Sequence, residues 1–303
     1  MISMEILIGI FFSVLWASGA IATKIGLLSS SPLMFATTRL ISAGLIMFVF
    51  TYFIKSNRWP KGGEWRQLIV LGILNTTLYV GCCFLSLKLV SSSLFNLFIT
   101  VNPFVVALLS SIFLSRKVTK QEWIGMLIAA LGLLIAVYPY LKDTHATVSG
   151  VIILAVGMLS MGIGSVCFTK YDMKIDRLVI NTWQIIFGSV FAVPLSFLLD
   201  SNPYINLDMN FAIGLFWQVV MTSIISMLLW FYLLKKDPIK ANNYLFLTPI
   251  FGYLLAWLIL KEDITWFHLI GAIFVISGLL FSGTINIKAL LRPKVVNEKH
   301  KSI

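Results

Sequence analysis

The sequence predicts an all-α membrane protein of ten transmembrane helices, built as two inverted five-helix repeats (5+5). Three observations predict it. Of 303 residues, 59% are hydrophobic and 12% charged, and the mean hydropathy is +0.94. A soluble domain carries about 25% charge, so this chain has too little polar surface to cover itself in water. The apolar residues fall in ten runs near the ~20 residues a helix needs to cross the hydrocarbon, without the alternating ~10-residue strands of a membrane barrel. Finally, the chain matches itself at a displacement of 146 residues with no gap. Thr23-Lys24 falls on Thr169-Lys170, Thr76 on Thr222, Leu87 on Leu233, Asn96 on Asn242, Pro103 on Pro249, Thr119 on Thr265, Gly125 on Gly271 and Gly132 on Gly278. Matches of Pro, Gly, Asn, Thr and Lys are hard to obtain by chance in so apolar a chain.

The first span, 6–28, is too long for a cleavable leader, lacks a basic n-region and precedes nine similar segments. It carries Trp16 and Lys24. The second, 33–54, carries Arg39 about two turns in from its start. An arginine left in lipid costs roughly 2.5–3.5 kcal/mol on insertion scales. Arg39 therefore either faces an internal cavity, where it attracts a carboxylate or phosphate, or snorkels to the outer interface or pairs with a carbonyl. The third span, 67–88, carries Tyr79, Cys82 and Cys83. On the fourth, 92–114, Asn96, Thr100 and Pro103 share one face at spacings of four and three. The fifth, 121–141, has Gly125 and Gly132 two turns apart, a spacing that lets helices approach closely.

The second five follow the same plan. The sixth span, 148–170, ends on Lys170. The seventh, 179–200, carries Trp183 and Gln184, and the eighth, 212–234, carries Trp230. The ninth, 240–260, repeats the fourth with Asn242, Phe246 and Pro249 on one face, and the tenth, 266–287, repeats the fifth with Gly271 and Gly278. Pro103 and Pro249 each remove a backbone hydrogen bond in mid-span. Freed carbonyls are tolerated in a membrane only where protein or water satisfies them. The two prolines are thus expected to be hinges in helices that line a central cavity, with Asn96 and Asn242 as paired gate residues. Residues 1–145 form the first repeat, 146–287 the second, and 288–303 a basic tail.

Charge sets the orientation. With the N-terminus in the cytoplasm, the inner loops and tail hold eighteen of the 23 Lys and Arg residues, while the outer loops hold Lys88, Lys142 and Lys261. This asymmetry is the positive-inside pattern and predicts a multi-pass inner (plasma) membrane protein with both termini cytoplasmic. It also accounts for the net charge of +11 through topology and anionic lipid, so no nucleic-acid partner is implied. The cysteines (Cys82, Cys83, Cys167) and histidines (His145, His268, His300) form no ligand cluster, so neither a metal nor a cofactor is expected. Glu5, Glu64, Glu122, Asp172, Asp200 and Glu262 all fall in loops or at span ends. Intramembrane acids are the usual proton relays. Their lack favours passive uniport or exchange.

An odd number of helices per repeat inverts the second copy, an architecture that marks secondary transporters with a site at the repeat interface. An intramembrane enzyme would need a His/Asp/Glu or Ser/His cluster within the spans, and none is present. Trp16, Tyr79, Trp183 and Trp230 offer apolar faces with one polar atom each, suited to an amphipathic solute.

Several segments carry a family resemblance. They are LWASGAIATKIGL at 15–27, SPLMFATTRL at 31–40, FLSLKLVSSSLFNLFITVNPFVVALLSSIFL at 84–114 with VTKQEWIGMLIAALGLLI after it, and the run from LWFYLLKKDPIKANNYLFLTPIFG to FVISGLL at 229–280. In order, doubling and spacing the chain resembles the EamA-type members of the drug/metabolite transporter superfamily over nearly its whole length. It departs from a Gly-Glu pair common at the ends of the fourth and ninth helices. Lys261-Glu262 keeps the acid, whereas Ser115-Arg116 does not. The resemblance implies a cavity lined by helices 1, 3, 4, 6, 8 and 9 and transport of small organic solutes. The expected function is alternating-access transport, as exporter or exchanger, of amino acids or similar metabolites, with multidrug efflux as the alternative. Trp16, Arg39, Tyr79, Asn96, Thr100, Trp183, Gln184, Trp230, Asn242 and Phe246 are the candidate substrate-binding residues. The expected partners are a small-molecule substrate and the bilayer, around a monomer or homodimer.

Overall fold

The computed structural model describes residues 4–87, 89, 95, 99–141, 147–200, 202–260 and 266–284. Its first half contains α1 (Met4–Gly26), α2 (Pro32–Ile54), α3 (Glu64–Ser86), α4 (Asn102–Phe113) and α5 (Lys120–Leu141). The second contains α6 (Val148–Tyr171), α7 (Arg177–Leu199), α8 (Met209–Lys236), α9 (Pro238–Ile259) and α10 (Trp266–Phe281). Among the described residues, α1, α2, α3, α6, α7, α8 and α9 are long and apolar enough to cross a membrane.

Local chemistry sets the helix starts. Thr147, Asp176, Asp208 and Asp237 are N-caps whose side chains accept from backbone N–H groups of Gly150, Leu178, Phe211 and Ile239, satisfying donors that the first turn leaves free. Pro32 opens α2. Two free N–H groups of that turn are taken from the other repeat, where buried Asp200 accepts from Leu33 and Met34 at 3.0 and 3.1 Å.

The 146-residue displacement is visible in the backbone. A π-helical segment begins at Gly72 in α3 and another at Gln218 in α8, 146 residues on. α4 begins at Asn102, and α9 resumes as α-helix at Thr248 after a 3-10 turn over Tyr244–Leu247. Pro103 is the second residue of α4, where a missing N–H costs little because the first turn needs none. Pro249 lies inside α9, directly after the 3-10 turn, where the hydrogen-bond pattern changes without the helix ending.

Repeat-equivalent helices run antiparallel against each other. On α5 and α10, Gly125 faces Gly278 and Gly132 faces Gly271; a Cβ on Gly125 or Gly132 would stand 2.6 Å from the facing carbonyl oxygen. Thr51 of α2 meets Thr182 of α7 at 2.8 Å, while Thr37 meets Ala192 at 3.4 Å. The halves are thus inverted. Exchanging them maps contacts onto contacts: α1 packs on α8 and α9, and α6 packs on α3 and α4.

Two ends follow. At one, the α1–α2 and α7–α8 loops are joined by Ser31 N–H to Tyr204 O (3.0 Å) and Asn206 N–H to Ser29 O (2.7 Å). At the other, Arg58 pairs with Glu64, Arg116 with Glu122 and Asp237, and Lys174 with Asp172. The second is the basic end.

Candidate functional site

A cavity opens between the repeats. Trp16, Gly19 and Thr23 of α1, Arg39 of α2, Tyr79, Val80 and Phe84 of α3, Gln218 and Thr222 of α8 and Thr248 of α9 line it. On α1, α2 and α3 these residues belong to the half of the helix away from the basic end. Toward the basic end aromatic packing seals the bundle. Phe12 stacks on Trp230 at 5.0 Å, Trp16 lies 6.5 Å from Trp230, and Phe246 is fully buried with its ring edge-on to Phe104.

Arg39 is 8% exposed. Its Nε donates to Ser223 Oγ at 2.8 Å, and its guanidinium carbon lies 5.9 Å from the centre of the Phe84 ring. Among the described residues no carboxylate forms an ion pair with it. Of the two positions open to Arg39 from sequence, the structure shows the cavity. A polar chain stands behind it. Asn181 donates to Ser223 O at 2.9 Å, Gln184 to Asn181 Oδ1 at 3.1 Å, and Asn75 to Gln184 Oε1 at 3.4 Å.

Among the described residues, three polar groups on the cavity wall have an atom without a hydrogen-bond partner: Gln218 Oε1, Thr222 Oγ1 and Thr248 Oγ1. The amide nitrogen of Gln218 is committed, donating to Gly19 O and Thr23 Oγ1, both at 2.6 Å. This orients its oxygen. A buried polar atom left unpaired is unfavourable by about 1–3 kcal/mol, and all three of these atoms are themselves shielded from solvent.

The structure therefore brings Trp16, Arg39 and Tyr79 together at the cavity, with Trp16 and Tyr79 stacked at 6.2 Å, and puts Trp230 beneath them. The other candidates among the described residues do not line it. Gln184 is fully buried between α3 and α7. Trp183 belongs to an aromatic cluster at the basic end, where its Nε1 donates to Tyr52 Oη at 2.6 Å and its ring lies 4.7 Å from Trp65 and 5.6 Å from Trp59. Trp59 and Trp65 are interfacial by position, and Trp183 sits with them because α7 starts at that end. Asn242 is sealed, accepting from Asn102 Nδ2 at 2.7 Å and donating to Pro238 O at 2.8 Å. Thr100 is buried in the turn before α4 and does not line the cavity. Asn96 lies outside the described residues. Gln218, Thr222 and Thr248 were missed. The signal for the first two was the polar spacing Gln218, Thr222, Ser226 at every fourth residue of α8, one face of a helix.

Comparison with known proteins agrees with this architecture. The model of the EamA-like transporter family matches residues 3–138 and 148–284. An uncharacterized transporter of Synechocystis is 27% identical, covering 90% of this chain and 87% of its own length. The protein PecM of Dickeya dadantii is 25% identical, covering 88% and 87%, and the uncharacterized transporter YoaV of Bacillus subtilis 23% identical, covering 92% and 96%. One crystal structure superposes with a TM-score of 0.77 over 96% of this chain and 100% of that one, at 16% identity, a likeness of fold.

Proposed function

The chain belongs to the EamA-like transporter family, and from that premise we propose that it carries a small organic solute with an anionic group, an amino acid or similar metabolite, as an exporter or exchanger working by alternating access. The observation that carries this reading is Arg39: a buried cation on a cavity wall with no ion-pairing carboxylate among the described residues. A guanidinium presents a planar fork that suits a carboxylate bidentately. With Nε held by Ser223, the other two nitrogens are the ones that meet the solute. The oxygens of Gln218, Thr222 and Thr248 take its donor groups, and Trp16 and Tyr79 cover its apolar part. A lipophilic cation, the usual cargo of multidrug efflux, is repelled by Arg39, which is why that alternative ranks second.

Residues 1–145 and 146–287 are the two moving units in this reading, followed by the basic tail 288–303. The basic end faces the cytoplasm of a plasma membrane, with both termini on that side, and the protein works as a monomer or homodimer. A phosphatase reporter fused to the C-terminus is expected to be inactive on the outside of the cell; strong outside activity refutes the orientation. The transport reading is tested by uptake and counterflow in proteoliposomes over a panel of amino acids, other organic anions and lipophilic cations. Saturable counterflow of an anionic or zwitterionic solute is expected. Movement of lipophilic cations alone contradicts the reading.

A further inference from the structure

The cavity is one-sided, although the chain is built twice. Displacing its lining residues by 146 gives their mates in the other repeat. Gly19, Thr23, Val80, Phe84, Thr222 and Thr248 have as mates Ser165, Thr169, Ser226, Trp230, Thr76 and Asn102. Five of these mates are buried, Ser165, Ser226 and Asn102 completely. They lie on α6, α8, α3 and α4, the inverted counterparts of the helices that carry the open cavity. Two hold an oxygen with no hydrogen-bond partner among the described residues, Asn102 Oδ1 and Ser226 Oγ, and the mate of Asn102, Thr248, has the same lack on the open side. The sixth, Thr169, lines a second cavity at the basic end, with Arg177 and Lys235 beside it.

We propose that these six residues are a latent half-site, which takes over the solute on the basic side when the two repeats exchange conformations. The proposal rests on the transport reading above. Two copies of one helical plan have two nearly equivalent packings, each sealing one side. A polar atom unpaired in the sealed state is accounted for if the other state exposes it to water and solute. The Asn102–Asn242 hydrogen bond lies in the sealed half and must break for Asn102 to take the place of Thr248. The two half-sites are not chemically equal. Trp16, Arg39 and Tyr79 have as mates Gly162, Ile185 and Ile225. The six residues of the latent half-site therefore offer hydrogen bonds and no cation of their own; the charges near them, Arg177 and Lys235 with Asp172, line the cavity at the basic end beside Thr169.

The test uses the full chain with Cys82, Cys83 and Cys167 replaced by serine, and a membrane-impermeant maleimide applied from either face of oriented vesicles. Ser226→Cys and Ser165→Cys report on the latent half-site, and Ala20→Cys, on the α1 wall next to Gly19, reports on the open cavity. Thr182→Cys, buried in α7 with a mate, Ala36, that does not line the cavity, is the control. Removing the hydrogen bond with Asn242→Ala is expected to raise labelling of both latent positions from the basic side by roughly two- to tenfold, the population shift one hydrogen bond supplies. Labelling of Ala20→Cys from the other side falls in step, and Thr182→Cys is unchanged. Asn102→Thr, which installs the mate's side chain, removes the same bond and serves if Asn242→Ala fails to fold. Unchanged labelling at the latent positions overturns the proposal. So does a rise that includes Thr182→Cys, or one that leaves Ala20→Cys as reactive as before, because either is mere loosening. A reciprocal shift in a protein that transports nothing on the panel keeps the half-site and removes the transport reading. Transport without the reciprocal shift does the opposite.

Discussion

Arg39 and Asp208 show two ways in which this chain accommodates a charge. Arg39 is kept inside by Ser223 and the ring of Phe84, at a wall that has room for a counter-charge. Asp208 is kept at an end of the bundle, where it caps α8 through Phe211 N–H at 2.9 Å and accepts from the Ser29 hydroxyl at 2.7 Å. These bonds, the Ser29 hydroxyl foremost, hold its carboxyl below the usual range. A folded-state pKa below the unfolded one adds stability that is present above the unfolded value, about 3.9, and is lost as pH falls through the folded value. The melting temperature of the wild type is therefore expected to exceed that of Asp208→Asn at neutral pH, with the gap closing as pH falls below 4. A gap independent of pH refutes the assignment. Arg39 was legible in the sequence because a charge within an apolar run needs a reason. Gln184 was equally conspicuous, but a polar residue in a span serves a cavity or a buried chain equally well. Which one depends on helix rotation, set by neighbours such as Asn75 and Asn181 that are far apart in sequence.

At the level of elements, the α5–α10 pair is the most constrained contact between the repeats. A Cβ on Gly132 meets the Gly271 carbonyl, and one on Gly271 meets Ala136 Cβ at 2.6 Å. Gly132→Val is expected to destabilise the protein by about 1–3 kcal/mol, the usual penalty of overpacking. Gly81→Ala, whose Cβ has nothing nearer than Leu33 Cδ2 at 4.0 Å, is expected to be neutral or mildly stabilising. Thermal unfolding of the two variants in the same detergent checks this, and equal melting temperatures contradict it. The glycine spacing was readable, as was the doubling of the prolines. The π segments at Gly72 and Gln218 were not, because no side-chain pattern distinguishes an i→i+5 turn from its α-helical neighbours. Nor was the 3-10 turn over Tyr244–Leu247 within α9, since an apolar run reads alike whichever hydrogen-bond pattern its helix takes.

For the whole molecule, the inverted repeat follows from antiparallel packing of equivalent helices, and the cavity lies between the copies. No Asp or Glu is among the described residues that line it, so none of those residues supplies a carboxylate to carry a proton. Transport is accordingly expected to continue when the pH gradient is collapsed at constant membrane potential; a rate abolished by that treatment contradicts the passive mechanism. The account turns most of all on Arg39, and counterflow of the best transported anionic solute in proteoliposomes tests it directly. Arg39→Gln removes a charge-assisted contact of about 1.5–3 kcal/mol, so its apparent affinity is expected to fall roughly ten- to a hundredfold at unchanged membrane levels. Arg39→Lys should retain part of the function, because the charge remains and the fork does not. If Arg39→Gln carries the solute as well as Lys174→Gln, an exposed charge at the basic end, then Arg39 does not recognise the solute and the central claim is wrong.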